Sequence, residues 1–202
     1  MSTPLKPPNA QREDVVRPDA AEDLVPKPLR ADARRNRERI LKAAAKEIGA
    51  RGLDVQMEDI ARAAGVGVGT IYRNFPTKQA LQEALWDEKR RRVIDVAERA
   101  ALNPDPWGAV EQLFTEGTDL QLDDLGWCQA LGLPGPQEPP AELRDPTTKV
   151  LERAKQAGVL RSDFGIEDVG SVFGAMSTVV SNGGRAARDS LLKVILDGLR
   201  PR

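Results

Sequence analysis

Apolar side chains recur at three- and four-residue steps through much of this 202-residue chain, and no segment sustains a two-residue alternation over the length of a strand. Steps of that size put the apolar groups on one side of an α-helix, so the chain is expected to be all-α. Ile40, Leu41, Ala44, Ala45 and Ile48 form the first stripe, set among Arg34, Arg35, Arg37, Arg39, Lys42 and Lys46, and Gly52 stops the run. A short helix follows at about 57–64, with Met57, Ile60, Ala61 and Ala64 inward and Gly65 as its stop. The third spans about 68–74 and is halted by Pro76. Thr77 then caps a long helix reaching Leu102, with Leu81, Leu85, Ile94 and Ala97 on its apolar side; Asn103-Pro104-Asp105-Pro106 ends it. Further helices are expected at about 106–121, 124–131, 141–157, 166–181 and 185–199, about nine in all, with a loop from Leu133 to Pro140.

Charge divides the chain more sharply than its net value of −1 suggests. Residues 30–92 hold 15 basic and 9 acidic side chains, whereas residues 93–202 hold 11 and 17. A positive block joined to a negative one is expected where one region meets a polyanion and the other does not. Residues 1–29 carry six prolines, mixed charge and no aromatic residue. Such a segment buries too little apolar surface to offset chain entropy and is read as a disordered tail.

Histidine is absent and Cys128 is the lone cysteine. Ser-His-Asp triads, Cys-His pairs, histidine metal ligands and Cys-rich zinc sites are thereby excluded, and no metal or cofactor is expected. An isolated cysteine fits a reducing, cytoplasmic compartment. No stretch approaches the roughly 20 apolar residues that span a bilayer, and the first residues lack the apolar core of a secretory signal, so no membrane partner is expected.

Helix, short turn around Gly65-Val66-Gly67, then a seven-residue helix is the outline of a helix-turn-helix. Small Ala61 and Ala64 let two helices approach, and Gly65 can take the left-handed conformation that the turn needs. The same spacing also describes an ordinary αα corner with no DNA role. The GVGVG run is not a phosphate loop, since no strand precedes it and the Lys-[Ser/Thr] ending is missing.

The run from Ile60 to Leu81, IARAAGVGVGTIYRNFPTKQAL, resembles the DNA-binding signature of the TetR family of bacterial repressors. With RILKAAAKEIGARG before it, the resemblance covers about residues 33–85. It implies a helix-turn-helix DNA-binding domain over 30–76, a connecting helix over 77–102 and an effector-binding and dimerisation domain over 103–202. It further implies that Val68, Gly69 and Thr70 open the recognition helix toward bases and phosphate, that Tyr72 and Lys78 bond phosphates, and that Arg73 and Asn74 reach bases or backbone. By chemistry Arg73 suits a bidentate bond to guanine, with a phosphate contact as the alternative. Tyr72 is either a phosphate ligand or a packed residue with its hydroxyl on a neighbouring group. Arg34, Arg35 and Arg37 are either a solvated face or an arm in the minor groove. Gln56 departs from the family's usual Thr or Ser; it is a poorer helix cap, and Glu58 beside it would repel DNA if it faced outward.

In the second half, family dimers pair their last two helices into a four-helix bundle, which points to Val169, Val172, Val180, Leu191, Leu192 and Ile195 as candidate dimer residues. Intrachain core is the alternative. Trp107, Phe114, Trp127, Cys128, Phe173 and Met176 are candidates for an effector pocket, or for core. VLERAKQAGVLRSDFGIEDV is more loosely similar to actinobacterial members. The expected function is a homodimeric regulator, a repressor rather than an enzyme, that binds palindromic double-stranded DNA and is released by a small hydrophobic or amphipathic effector. The rivals are a helical interaction module and an enzyme using Asp123 and Asp124, although adjacent helical residues point about 100° apart.

Overall fold

A computed structural model describes residues 27–130 and 141–201. Residues 1–26, which hold most of the expected tail over 1–29, and residues 131–140, which hold the expected LPGPQEPP loop, lie outside the described residues. Seven α-helices are present among the described residues, with no strand: α1 (Lys27–Arg51), α2 (Met57–Ala64), α3 (Val68–Asn74), α4 (Lys78–Leu102), α5 (Pro106–Ala130), α6 (Ala141–Gln156) and α7 (Ile166–Leu199). A single 3-10 turn, Gly52–Asp54, follows α1.

Three differences from the sequence reading have local causes. α1 starts at Lys27 rather than near 31, with Pro28 in the first turn, where a missing N–H costs nothing. The helices expected at 106–121 and 124–131 are one, because the polar residues near the expected break have partners inside the fold. Buried Thr118 donates to the Phe114 carbonyl at 2.7 Å, and Asp124, only 2% exposed, accepts from Arg92 of α4 at 2.6 Å. The last two expected helices run on as α7, but the expected break between them is kept as a kink at Gly184, whose non-helical φ of 60° and ψ of −151° are open to glycine. Seven helices therefore replace the expected nine.

Two apolar cores result. The first gathers Ile40, Ala44 and Ile48 of α1 with Met57, Ile60 and Ala64 of α2, Ile71 and Phe75 around α3, and Leu81, Ala84 and Leu85 of α4. The second gathers Val96, Ala97 and Ala100 of α4 with Val110 and Phe114 of α5, Val150 and Leu151 of α6, and Met176, Leu192 and Leu199 of α7. α4 thus serves both cores from its two ends. α5 is the hub, packing against α1, α4, α6 and α7. Its C-terminal end passes so close to α1 that a Cβ on Gly126 would sit 3.0 Å from the Gly49 Cα.

Candidate nucleic-acid interface

The local start and stop signals of α2 and α3 set the geometry of the site. Gly65 takes φ 63°, ψ 39° as the left-handed cap of α2, and the Val66 N–H closes the turn on the Ala61 carbonyl at 2.9 Å. Gly67 then caps α3, whose Thr70 N–H returns to the Gly67 carbonyl at 2.8 Å. Arg39 of α1 donates to the Gly65 carbonyl at 3.0 Å and ties the turn to the first helix. Fully buried Ile71 and nearly buried Phe75 hold α3 inward. The opposite edge carries Val68 (46% exposed), Gly69, Tyr72 (41%) and Arg73 at helical spacing. Thr77 caps α4 by accepting from the Ala80 N–H at 3.0 Å, which brings Lys78 to the beginning of that helix.

Each polar residue of this edge holds a partner within the chain. Arg73 donates from Nε to the Gly69 carbonyl at 3.1 Å and from Nη2 to the Thr70 hydroxyl at 3.3 Å. Tyr72 donates its hydroxyl to Glu58 Oε1 at 3.0 Å, and that carboxylate pushes the phenol's ionisation above its ordinary value, so it remains a donor. Lys78 donates to the Leu53 carbonyl. Asn74 departs from the expected exposed position: it is half-buried, and its side-chain amide donates back to the Thr70 carbonyl at 2.8 Å. A short amide side chain on a helix reaches the carbonyl four residues earlier, so it satisfies its own helix.

The α1 arginines are also engaged. Arg37 lies over the Phe75 ring, 4.7 Å from its centroid; Arg34 pairs with Glu38 at 3.6 Å; and Arg35 pairs with Asp32. Arg37 thus covers the end of α3. Gln56 occupies the cap of α2 without a side-chain cap bond and instead donates to the Asp54 carbonyl at 2.7 Å, as a long side chain at that position should. Arg51 at the end of α1 bonds Asp59 in the first turn of α2 at 2.9 Å, and Arg62 bonds the same carboxylate. This pairing, led by Arg51, holds the Asp59 carboxyl below the usual carboxylate range. Arg39 and Arg51 were not expected site residues, because their partners lie 26 and 8 residues away and carry no local signature.

In the second half the candidate pocket residues separate. Phe114 stacks on Phe173 at 5.4 Å between centroids, and Trp107 and Met176 are buried in the same core. Cys128 packs against the other core, accepting from Lys89 Nζ at 3.1 Å, and burial pushes its thiol up. The Trp127 side chain lies outside the described residues. A cleft of about 660 Å³ lies elsewhere, between α1, α4 and α5, with Leu41, Ala45, Leu85 and Gly126 among its lining. Of the candidate dimer residues, Val169, Val180 and Leu192 are buried within the chain, Val180 to 1% exposure. Val172, Leu191 and Ile195 are half-buried against the second core, leaving Val194 as the large apolar residue exposed on α7. Those three buried positions serve intrachain packing because α7 turns its apolar stripe toward the rest of the chain. Asp123 is exposed and Asp124 buried against Arg92, so they do not form a facing acid pair. Among the described residues no helix is long and apolar enough to cross a membrane.

A short helix presented edge-on by a basic head, and carried by a larger helical body, defines a helix-turn-helix transcriptional regulator. Two family models match: bacterial regulatory proteins of the tetR family over residues 40–85, and the C-terminal domain of SbtR-like transcriptional regulators over residues 137–201. A TetR transcription regulatory protein from Mycobacterium vanbaalenii is 34% identical with a TM-score of 0.67, covering 86% of this chain and 100% of that one. A TetR transcriptional regulator from Streptomyces coelicolor is 33% identical with a TM-score of 0.64, covering 82% and 98%. An HTH-type transcriptional regulator of Staphylococcus aureus (strain MRSA252) is 32% identical over 101 residues, a match spanning 48% of this chain and 42% of that protein. The chain belongs to the TetR family of bacterial transcriptional regulators, which are not enzymes.

Proposed function

We propose that this protein is a cytoplasmic, homodimeric repressor that places α3 in the major groove of a palindromic operator and lets go when a small hydrophobic or amphipathic molecule binds. The observation that carries the reading is the exposed edge of α3, Val68, Gly69, Tyr72 and Arg73, with Lys78 at the start of the next helix. Residues 30–76 act as the DNA-reading head, 77–102 as the connection and 103–202 as the effector and dimer region. Arg73 reads a base or grips phosphate, while Tyr72 and Lys78 hold phosphates and fix register. Support for effector release comes from α4, which contributes to both cores, and from α5, which packs on α1 as well as α7. A ligand that favours one body packing can thereby shift the spacing of two heads. Dimerisation is assigned to the outward side of α7, around Val194.

Selection of duplexes from a random library by the full chain, followed by titration over a salt series, tests the reading. A two-fold symmetric sequence should emerge, with affinity falling steeply as salt rises. Recovery of no preferred sequence would overturn it.

A further inference from the structure

Glu58 is the acidic residue that the DNA-reading edge does not explain. It is exposed in the first turn of α2, and no ion pair engages it among the described residues, in contrast to Asp59 beside it, which bonds Arg51 and Arg62. Its Oε1 instead holds the Tyr72 hydroxyl at 3.0 Å, across the angle between α2 and α3. A phenol has one O–H, so it cannot donate to Glu58 and to a phosphate together. A bond to a carboxylate is also stronger than one to a neutral acceptor, so its loss offsets much of what a phosphate contact contributes.

From this contact we infer that Glu58 is an affinity-limiting residue of the DNA interface: it competes with phosphate for the Tyr72 hydroxyl and repels the backbone that Lys78 and Arg73 attract. The inference rests on the proposed operator-binding function and deepens it. Phosphate contacts carry no base information, so the restraint acts alike on operator and random duplex. An unneutralised carboxylate at this edge therefore lowers occupancy of the many non-operator registers, and sequence-reading contacts must supply the remainder of the binding.

The test is a double-mutant cycle in the full chain, with titration against the duplex selected by the wild-type protein and against a random-sequence duplex of the same length. Glu58→Gln should bind both duplexes about two- to fivefold more tightly at low salt, a gain that shrinks as salt rises, because surface charge terms are of that size and are screened. Tyr72→Phe should cost about twofold or less in the wild-type background but about fivefold or more beside Glu58→Gln, where the hydroxyl no longer gives up a charged partner. Thermal unfolding of each variant separates these effects from the weaker α2 that loss of a negative charge in its first turn entails. Equal or weaker binding by folded Glu58→Gln, or the same Tyr72→Phe cost in both backgrounds, overturns the inference. If the wild-type protein selects no duplex at all, it is the operator-binding function that fails.

Discussion

The head and the body treat polar groups in opposite ways. On the DNA-reading edge, Tyr72, Arg73 and Lys78 hold partners that an incoming phosphate or base can replace: an exposed carboxylate, a helix carbonyl and the carbonyl of Leu53. In the body, Arg188 is nearly buried, and its guanidinium donates to the Thr118 hydroxyl at 2.9 Å, the Thr115 carbonyl at 2.8 Å and the Asp189 carboxylate at 2.6 Å, with Asp119 also at 2.6 Å. That arginine joins α7 to α5, and its own guanidinium, 6% exposed, meets little water if a bond is lost. Exposed groups exchange partners at little net cost, whereas breaking a buried charged network leaves groups without hydration. The head is built for exchange and the body for retention.

The largest expected effect lies in the body. Phe114 is fully buried, stacked on Phe173 and tilted 58° against Phe164 at 6.2 Å. Phe114→Ala should destabilise the chain by about 3–5 kcal/mol, read as a lower denaturant midpoint. Because α4 serves both cores, unfolding should stay a single transition; a separate head transition would break the coupling assigned to α4 and α5.

The next effect lies at the head and should leave folding alone. Arg73→Ala is expected to cost about 1–3 kcal/mol of operator affinity and to relax preference at one base position, if Arg73 reads guanine. Lys78→Ala should weaken every duplex alike and lower the salt slope by about one. If Arg73→Ala weakened all sequences evenly, its contact would be with phosphate, and the reading residue must be sought at Val68 or Thr70.

Smaller still is the repair of a cap. Gln56→Ser gives α2 the short hydroxyl that Gln56 does not supply, and it should raise the melting temperature by an amount equivalent to about 1 kcal/mol. No gain would mean that the Gln56 bond to the Asp54 carbonyl already secures the start of the helix.

The smallest effect is acid sensitivity. The Asp59 carboxyl ionises below its ordinary value in the folded head, chiefly through Arg51. A depressed carboxylate contributes stability above its unfolded value and loses it as pH falls through the folded one. Urea midpoints should therefore decline less steeply with acid in Asp59→Asn than in the wild-type chain; parallel curves would show that Arg51 and Asp59 do not hold α1 to α2.

Much of the head was legible from residue order because its punctuation is local. Gly65 at positive φ, Thr77 as a hydroxyl cap and Gln56 as a cap without a bond each act within a few residues of themselves. The inward set Met57, Ile60, Ala61, Ala64 and Ile71 follows from helical spacing alone. Less legible were the side chains whose partner is a choice among neighbours. Asn74 bonds Thr70 instead of facing outward, Arg37 covers Phe75, and Cys128 leaves the aromatic cluster for the head core. Similarly, Val169, Val180 and Leu192 were candidates for a partner surface, and burial within the chain claims them.

Residue order by itself determined the all-helical class, the short helices of the head, the turn at Gly65, the basic head and the family signature, since each depends on spacing along the chain or on summed charge. Tertiary structure alone decided which helix covers which apolar stripe, that α5 reaches from α7 to α1, and that Glu58 rather than solvent receives the Tyr72 hydroxyl. The physical reason is range: periodicity tells which side of a helix is apolar, but the group that meets a side chain is set by packing between segments far apart in sequence.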